Sequence, residues 1–162
     1  MKFSTKNFVS FQNQIIMKFV LTLFLLIPFF ASAQTLQDSL AIKQATLDYI
    51  ESQHLPNSAQ MERALHPRLV KRTFWKDKET QKDYLRETSA ESMILLAESY
   101  NKKNDKFPLN PKKEVKFLDV SDRTASVKLI ADEWIDYIHL AKLNGSWKIV
   151  NVLWQYHDSS KH

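Results

Sequence analysis

The chain has 162 residues, no cysteine and a single glycine, with 23 Lys and Arg against 18 Asp and Glu for a formal net charge of +5. The lack of cysteine excludes disulfides and thiolate metal sites, and one glycine cannot build a glycine-rich phosphate cradle. Lys2, Lys6 and Lys18 lie in the first 33 residues, which hold no acid, so the rest of the chain carries only +2; that balance gives no reason to expect a nucleic-acid partner.

Met17-Lys18 opens a short basic segment, residues 19–30 are apolar, and Ala31-Ser32-Ala33 fits a small-residue cleavage pattern before Gln34. This predicts a secretory signal peptide over residues 1–33, with the start at Met1 or at Met17. It also predicts export, periplasmic or secreted, after cleavage near Ala33. The apolar run is too short for a comfortable membrane span, so no stable membrane anchor is expected after cleavage. The folded domain is expected over residues 34–157, with residues 158–162 as a frayed tail.

Residues 35–53 have the spacing of a helix, with Leu36, Leu40, Leu47 and Ile50 as its stripe and Ala45 and Tyr49 beside it. His54-Leu55-Pro56-Asn57 breaks it. A second, short helix over residues 58–65 has Ser58 as its cap and ends before Pro67. Residues 68–75 read as a strand, followed by the charged turn Lys76-Asp77-Lys78-Glu79 and a short return strand over 81–85. Thr88 with Glu91 makes a capping-box pattern for a third helix over 88–100, which buries Met93, Leu96, Ala97 and Tyr100. A polar loop over 101–111 leads to strands at 114–120 and 124–133.

The last stretch, residues 134–156, contains Asn144-Gly145 between two β-rich runs, the strongest short-range hairpin signal. A two-residue turn pairs Leu143 with Ser146, Ala141 with Lys148, His139 with Val150, Tyr137 with Val152 and Ile135 with Trp154. Both faces of this ribbon are largely apolar, so both need a cover: the chain's own helices on one side, a second subunit on the other. Helices first and strands later predict an α+β domain with helices on one face of a curved antiparallel sheet.

This element order resembles the nuclear transport factor 2-like (SnoaL-like) superfamily. Leu65-His66-Pro67 closes the second helix, and Asn144-Gly145-Ser146-Trp147-Lys148-Ile149-Val150-Asn151 opens the last strand. Within the superfamily the chain is most similar to the family named "Putative lumazine-binding", whose penultimate strand reads Tyr-x-Asp-Tyr before an Asp-Gly-x-Trp-Lys-Ile turn. Trp134-Ile135-Asp136-Tyr137 and Asn144-Gly145-Ser146-Trp147-Lys148-Ile149 stand in those places, with Trp134 departing from tyrosine. The resemblance implies a cone-shaped fold, three N-terminal helices on a bent sheet, a pocket between them, and a homodimer through the outer sheet face. It implies that Trp134, Asp136, Ile138, Leu140, Trp147, Ile149, Asn151 and Leu153 look outward, with Trp134, Ile138, Leu140, Trp147, Ile149 and Leu153 forming the dimer contact. Ile135, Tyr137, His139, Val150, Val152, Trp154 and Tyr156 would then face the pocket.

On that placement Tyr137, His139, Trp154 and Tyr156 line a small-molecule site, approached by Tyr49, His66, Phe74 and Trp75 from the helical side. His139, Tyr137 and His66 are the candidates for proton transfer. No cofactor is called for, and the five histidines are too dispersed to predict a metal site. Three functions stay open. The first is an exported domain holding an apolar or aromatic ligand. The second is a cofactor-independent isomerase, cyclase or dehydratase. The third is a structural or interaction module with a filled pocket.

Overall fold

The computed structural model describes residues 36–162. The expected leader and both candidate starts lie outside the described residues. Residues Ser39–His162 form one contact unit. In chain order the elements are α1 (residues 36–54), α2 (Ser58–Ala64), β1 (Leu65–Lys76), β2 (Asp83–Ser89) and α3 (Ala90–Ser99). They are followed by β3 (Lys113–Val120), β4 (Thr124–Ala131), β5 (Trp134–Leu143) and β6 (Ser146–Tyr156), and the 3-10 turn Ser159–Lys161. The strands make one six-stranded sheet in the order β2-β1-β6-β5-β4-β3. It is mixed rather than wholly antiparallel, because β1 runs parallel to β6. The small hairpin expected at residues 68–85 is therefore part of the main sheet.

Helix boundaries moved for local reasons. Asn57, not Ser58, caps α2, its side chain accepting from the Gln60 N–H. Ser89, not Thr88, caps α3, accepting from the Ser92 N–H at 3.2 Å, while Thr88 belongs to β2. The buried side of α1 is Ile42, Ala45, Tyr49 and Ile50, joined by Thr46, Ser52 and Gln53; Leu40, expected inside, is 60% exposed. Polar side chains take core positions because they hydrogen-bond to the helix's own carbonyls: Thr46 to Ile42, Ser52 and Gln53 to Tyr49. Asp48 ties α1 to α2, accepting from Gln60 and from Arg63 Nε at 2.8 Å. Burial works to raise its pKa, but those bonds, with one from Gln44, outweigh burial and hold it below the usual carboxylate range.

Asn144 and Gly145 both have positive φ, +50° and +80°, and close β5 onto β6. From Leu143↔Ser146 to Leu140↔Ile149 the pairing is as expected for a two-residue turn. Then Val150 is passed over: His139 pairs with Asn151, Ile138 with Val152 and Asp136 with Trp154. A β-bulge of this kind puts one extra residue in one strand and reverses the facing of everything beyond it. β1 is irregular at the same level, between Leu65 and Val70, where Pro67 has no N–H to give to a ladder.

Ahead of the bulge Trp147 and Ile149 of β6 face the helices, and beyond it Val152, Trp154 and Tyr156 do, while β5 alternates without a break. Trp134, Ile138, Leu140, Trp147 and Ile149, expected at a dimer contact, are buried in the chain's own core with Val152. Of that proposed contact only Leu153 is exposed. On the opposite face Phe74, Leu85, Tyr137 and Leu153 are exposed. Residues 158–162 are not frayed. Asp158 caps the 3-10 turn, and the His162 ring wedges beside Phe74, Trp75, Trp154 and Tyr156, accepting from the Tyr156 N–H at 3.0 Å.

No atom lies within 4 Å of where a Cβ on Gly145 would stand, so a substitution there strains only the backbone. Gly145→Ala should destabilise the protein by about 1–2 kcal/mol through its left-handed conformation, read as a lower urea midpoint with an unchanged slope.

Candidate functional site

Alternation along β1 sends Leu69, Lys71, Thr73 and Trp75 to the helix side of the sheet, and alternation along β5 sends Trp134, Asp136 and Ile138 there. Lys71 and Asp136 thus meet under α1, on strands separated by β6. Lys71 Nζ lies 3.6 Å from Asp136 Oδ1, with side-chain exposures of 9% and 0%. Tyr49, wholly buried on α1, completes the group: its hydroxyl accepts from Lys71 Nζ at 2.6 Å and donates to Asp136 Oδ1 at 3.4 Å. Trp134 Nε1 donates to the other carboxylate oxygen at 3.1 Å. The amine also lies 4.8 Å from the centre of the Trp154 ring.

Burial dominates the electrostatics. It lowers the Lys71 pKa, with Asp136 opposing, and raises that of Asp136, with Lys71, Trp134 and Tyr49 opposing. The Tyr49 hydroxyl is pushed well above its ordinary range by burial and then by the Asp136 charge. The opposed shifts bring the ion pair and its neutral, proton-transferred form closer in energy than they are in water.

This group stands at the edge of a cavity of about 360 Å³ between the sheet, α1 and α3. Trp75, Trp134, Trp154, Tyr156 and Tyr100 supply aromatic wall, and Met93 and Leu96 of α3 supply aliphatic wall. Lys71, Thr73, Gln53, Arg86, Thr88 and Ser92 bring polar side chains to it. Arg86 lies over the Trp75 ring at 5.2 Å, and Thr73 Oγ1 donates to the Trp154 carbonyl at 2.7 Å, joining β1 to β6. A larger hollow of about 760 Å³ lies under the 101–111 loop, lined in part by Glu51, His54, Phe107 and Leu109. Glu51 there is held by Lys113, and among the described residues no three His, Asp or Glu side chains come together as a metal site.

Of the residues singled out from sequence, Trp75, Trp154 and Tyr156 line the smaller cavity and Tyr49 lies directly behind Lys71. Four others are elsewhere, Phe74 among them, 38% exposed on the opposite sheet face and absent from the cavity lining. Tyr137 is 39% exposed on the opposite sheet face, under Lys128. His139 is on that face too, its Nδ1 bonded to Asn151 Nδ2 at 3.1 Å. His66 stands at the β1 irregularity, its Nδ1 accepting from the Arg68 N–H at 3.1 Å. Tyr137 and His139 face outward because Trp147, Ile149 and Leu140, taken as outward, face the helices, and β5 alternates from Leu140 without a break; the bulge at Val150 acts on β6 alone and turns Trp154 and Tyr156 inward. Asp136, expected to face outward, is inside. Lys71 was missed outright; its place in the alternation with Leu69 and Thr73 was the available signal.

A lone buried carboxylate is far more costly than a paired one. Lys71→Met should destabilise the protein by about 3–5 kcal/mol, and adding Asp136→Leu should restore most of it, measured by chemical denaturation. In the single variant Asp136 has a folded pKa above its unfolded value of about 3.9. Its protonation therefore stabilises the fold most fully below that value, and this is lost as pH rises through the folded pKa. The single variant's deficit should be larger at pH 7 than at pH 4.5.

Residues 37–155 match a family model described as "Putative lumazine-binding". No curated protein matches the chain. Among solved structures, a nuclear transport factor 2-like protein of unknown function from Silicibacter pomeroyi is 16% identical, with TM-score 0.57 over 76% of this chain and 98% of that one. A protein of the same description from Shewanella baltica is 19% identical, with TM-score 0.57 over 76% and 97%. A nuclear transport factor 2-like protein with a cystatin-like fold from Novosphingobium aromaticivorans is 12% identical, with TM-score 0.56 over 82% and 90%. These likenesses establish the fold. With its sheet order, its helices on one sheet face and the family match over most of its length, the chain belongs to the "Putative lumazine-binding" family and has the nuclear transport factor 2-like fold.

Proposed function

We propose that the protein is exported and that its domain, a cone of helices and bent sheet, holds a small flat molecule, apolar or aromatic, in the cavity beside Lys71. The observation that carries this is the cavity of about 360 Å³, which lies within the size range of small-molecule sites. Its aromatic faces offer stacking area, and its few polar groups offer orientation. The family's description names lumazine, a flat bicyclic heteroaromatic, and such a shape suits walls of indole and phenol rings.

The alternative of proton-transfer catalysis is favoured by one observation, the opposed pKa shifts of Lys71 and Asp136 around a shared hydroxyl. Opposed environments of this kind are how folds set up acid and base roles. It would run through Lys71, Asp136 and Tyr49, and not through His139, Tyr137 or His66.

Binding should be visible as quenching of tryptophan fluorescence by a bicyclic aromatic such as 2-naphthol. Trp154→Ala should weaken that binding about tenfold, equivalent to roughly 1.4 kcal/mol. No quenching and no thermal stabilisation across a panel of flat aromatics would rule out the ligand site. For export, protein recovered outside the cytoplasm should begin at Gln34 on N-terminal sequencing. A recovered N-terminus at Met1 or Met17 would rule out cleavage at Ala33.

A further inference from the structure

Resting on the cavity as a ligand site, we propose that Lys71 is a nucleophile that captures an aromatic or conjugated aldehyde or ketone as an imine, with Asp136 moving the proton and Tyr49 positioning the amine. The geometry is the starting point. Lys71 lines the cavity, and its Nζ is 2.6 Å from one hydroxyl and 3.6 Å from one carboxylate oxygen, with an indole face 4.8 Å away. An amine needs three things to take up a carbonyl compound. It must be able to lose its proton, it needs an acid beside it to protonate the departing oxygen, and it needs a pocket that holds the carbonyl compound. Burial favours loss of the Lys71 proton, Asp136 stands beside the amine, and the aromatic cavity offers the pocket; among the described residues Lys71 is the one lysine that lines it.

Stability gives a poor account of the arrangement. A buried ion pair contributes little net stability compared with apolar residues of the same volume. The groups that face the amine favour its free form only in part. Asp136 on β5 holds the proton on, burial drives it off, and Tyr49 on α1 is neutral; Arg86 on β2 and Tyr100 and Tyr156 at the other walls complete the titratable surroundings. A carbonyl compound entering the cavity excludes water further and favours transfer of the proton to Asp136.

The step balances without a co-reactant. The Lys71 ammonium passes one proton to the Asp136 carboxylate, and the freed lone pair forms the N–C bond as the carbonyl π pair moves to oxygen. A proton transferred from nitrogen to that oxygen gives the carbinolamine. The Asp136 acid then protonates the hydroxyl, the C–O bond breaks, and water leaves. An ammonium and a carbonyl have become an iminium and a water, with the iminium charge facing the regenerated Asp136 carboxylate. Arg86, beside Trp75 at another wall, would favour carbonyl compounds with an anionic or acceptor group at the far end of the ring.

The experiment incubates the purified protein with 2-naphthaldehyde and sodium cyanoborohydride, then reads intact mass and maps the reduced adduct by peptide sequencing. The expected result is a single saturable adduct on Lys71 before surface lysines such as Lys76, Lys78 and Lys82 react. It should be competed by 2-naphthol and absent in Lys71→Arg, which keeps a cation beside Asp136 but has no nucleophilic amine. Adducts on surface lysines with Lys71 unmodified in the wild-type protein would overturn the proposal, whether or not the variant folds. If 2-naphthol quenches fluorescence and Lys71 stays unmodified, imine capture is refuted while the ligand site stands. If neither molecule enters, both fall.

Discussion

Two opposite charges are held out of water on strands that are not neighbours, and each is tolerable only because the other is there. Lys71 sits on β1 and Asp136 on β5, with β6 between them. A buried charge without its partner is strongly unfavourable, so β1, β6 and β5 must be assembled together for either to be accommodated. The Tyr49 hydroxyl, bonded to both, adds α1 to the same requirement. Docking of the helix, assembly of the sheet and formation of the cavity wall are thus coupled through one polar contact. The aliphatic core around Ile138, Leu140, Ile149 and Val152 supplies the larger driving force, but it tolerates small slips. The pair does not.

The same group explains why the cavity is more than a packing fault. Its walls are stiff rings held by polar contacts of different kinds. The Trp134 indole N–H donates to Asp136, Arg86 lies over the Trp75 ring, and Thr73 ties the Trp154 backbone carbonyl. Rings anchored this way do not collapse readily into the space between them. His162 adds a further ring against Phe74, Trp75, Trp154 and Tyr156. It accepts from the Tyr156 backbone, a pairing that neither β1 nor the tail could have announced from composition.

What was legible in the sequence was what local rules control. The Asn144-Gly145 turn, the strand alternation in residues 124–131 and the helix-then-strand order all follow from backbone sterics and side-chain period, and they led to an α+β sheet domain; the family came from the resemblance of the Trp134–Tyr137 and Asn144–Ile149 motifs. The site was half legible. Trp75, Trp154, Tyr156 and Tyr49 stood out as aromatics and do surround the polar group. Lys71 and Asp136 did not: alternation with Leu69 and Thr73 marks Lys71 as inward, but the partner that makes its burial tolerable lies two strands away and is not legible from either neighbourhood. The facing of β5 was misjudged because the Trp147-x-Ile149 positions were taken to look outward, whereas they and Leu140 face the helices; the unpaired Val150, which period-two counting cannot foresee, alters β6 only. Counting to Trp154 and Tyr156 came out right for the cavity only because the counted register and the choice of inner face were both reversed, and the two reversals cancel beyond the bulge. Leu40 was misjudged because a hydrophobicity stripe gives no weight to Thr46 or Gln53, which are inside by virtue of bonds to their own helix.

The unpaired Val150 has a consequence for how such a protein can diversify. Removing or adding a single codon at that point leaves the turn and the core-facing Trp147 and Ile149 where they are, but exchanges every side chain beyond it. Leu153 and Gln155 would trade places with Val152, Trp154 and Tyr156. A lineage can therefore repaint one wall of its hollow in one genetic event, at the expense of the core position that Val152 holds, and an alignment that places no gap at such an event equates positions that look in opposite directions.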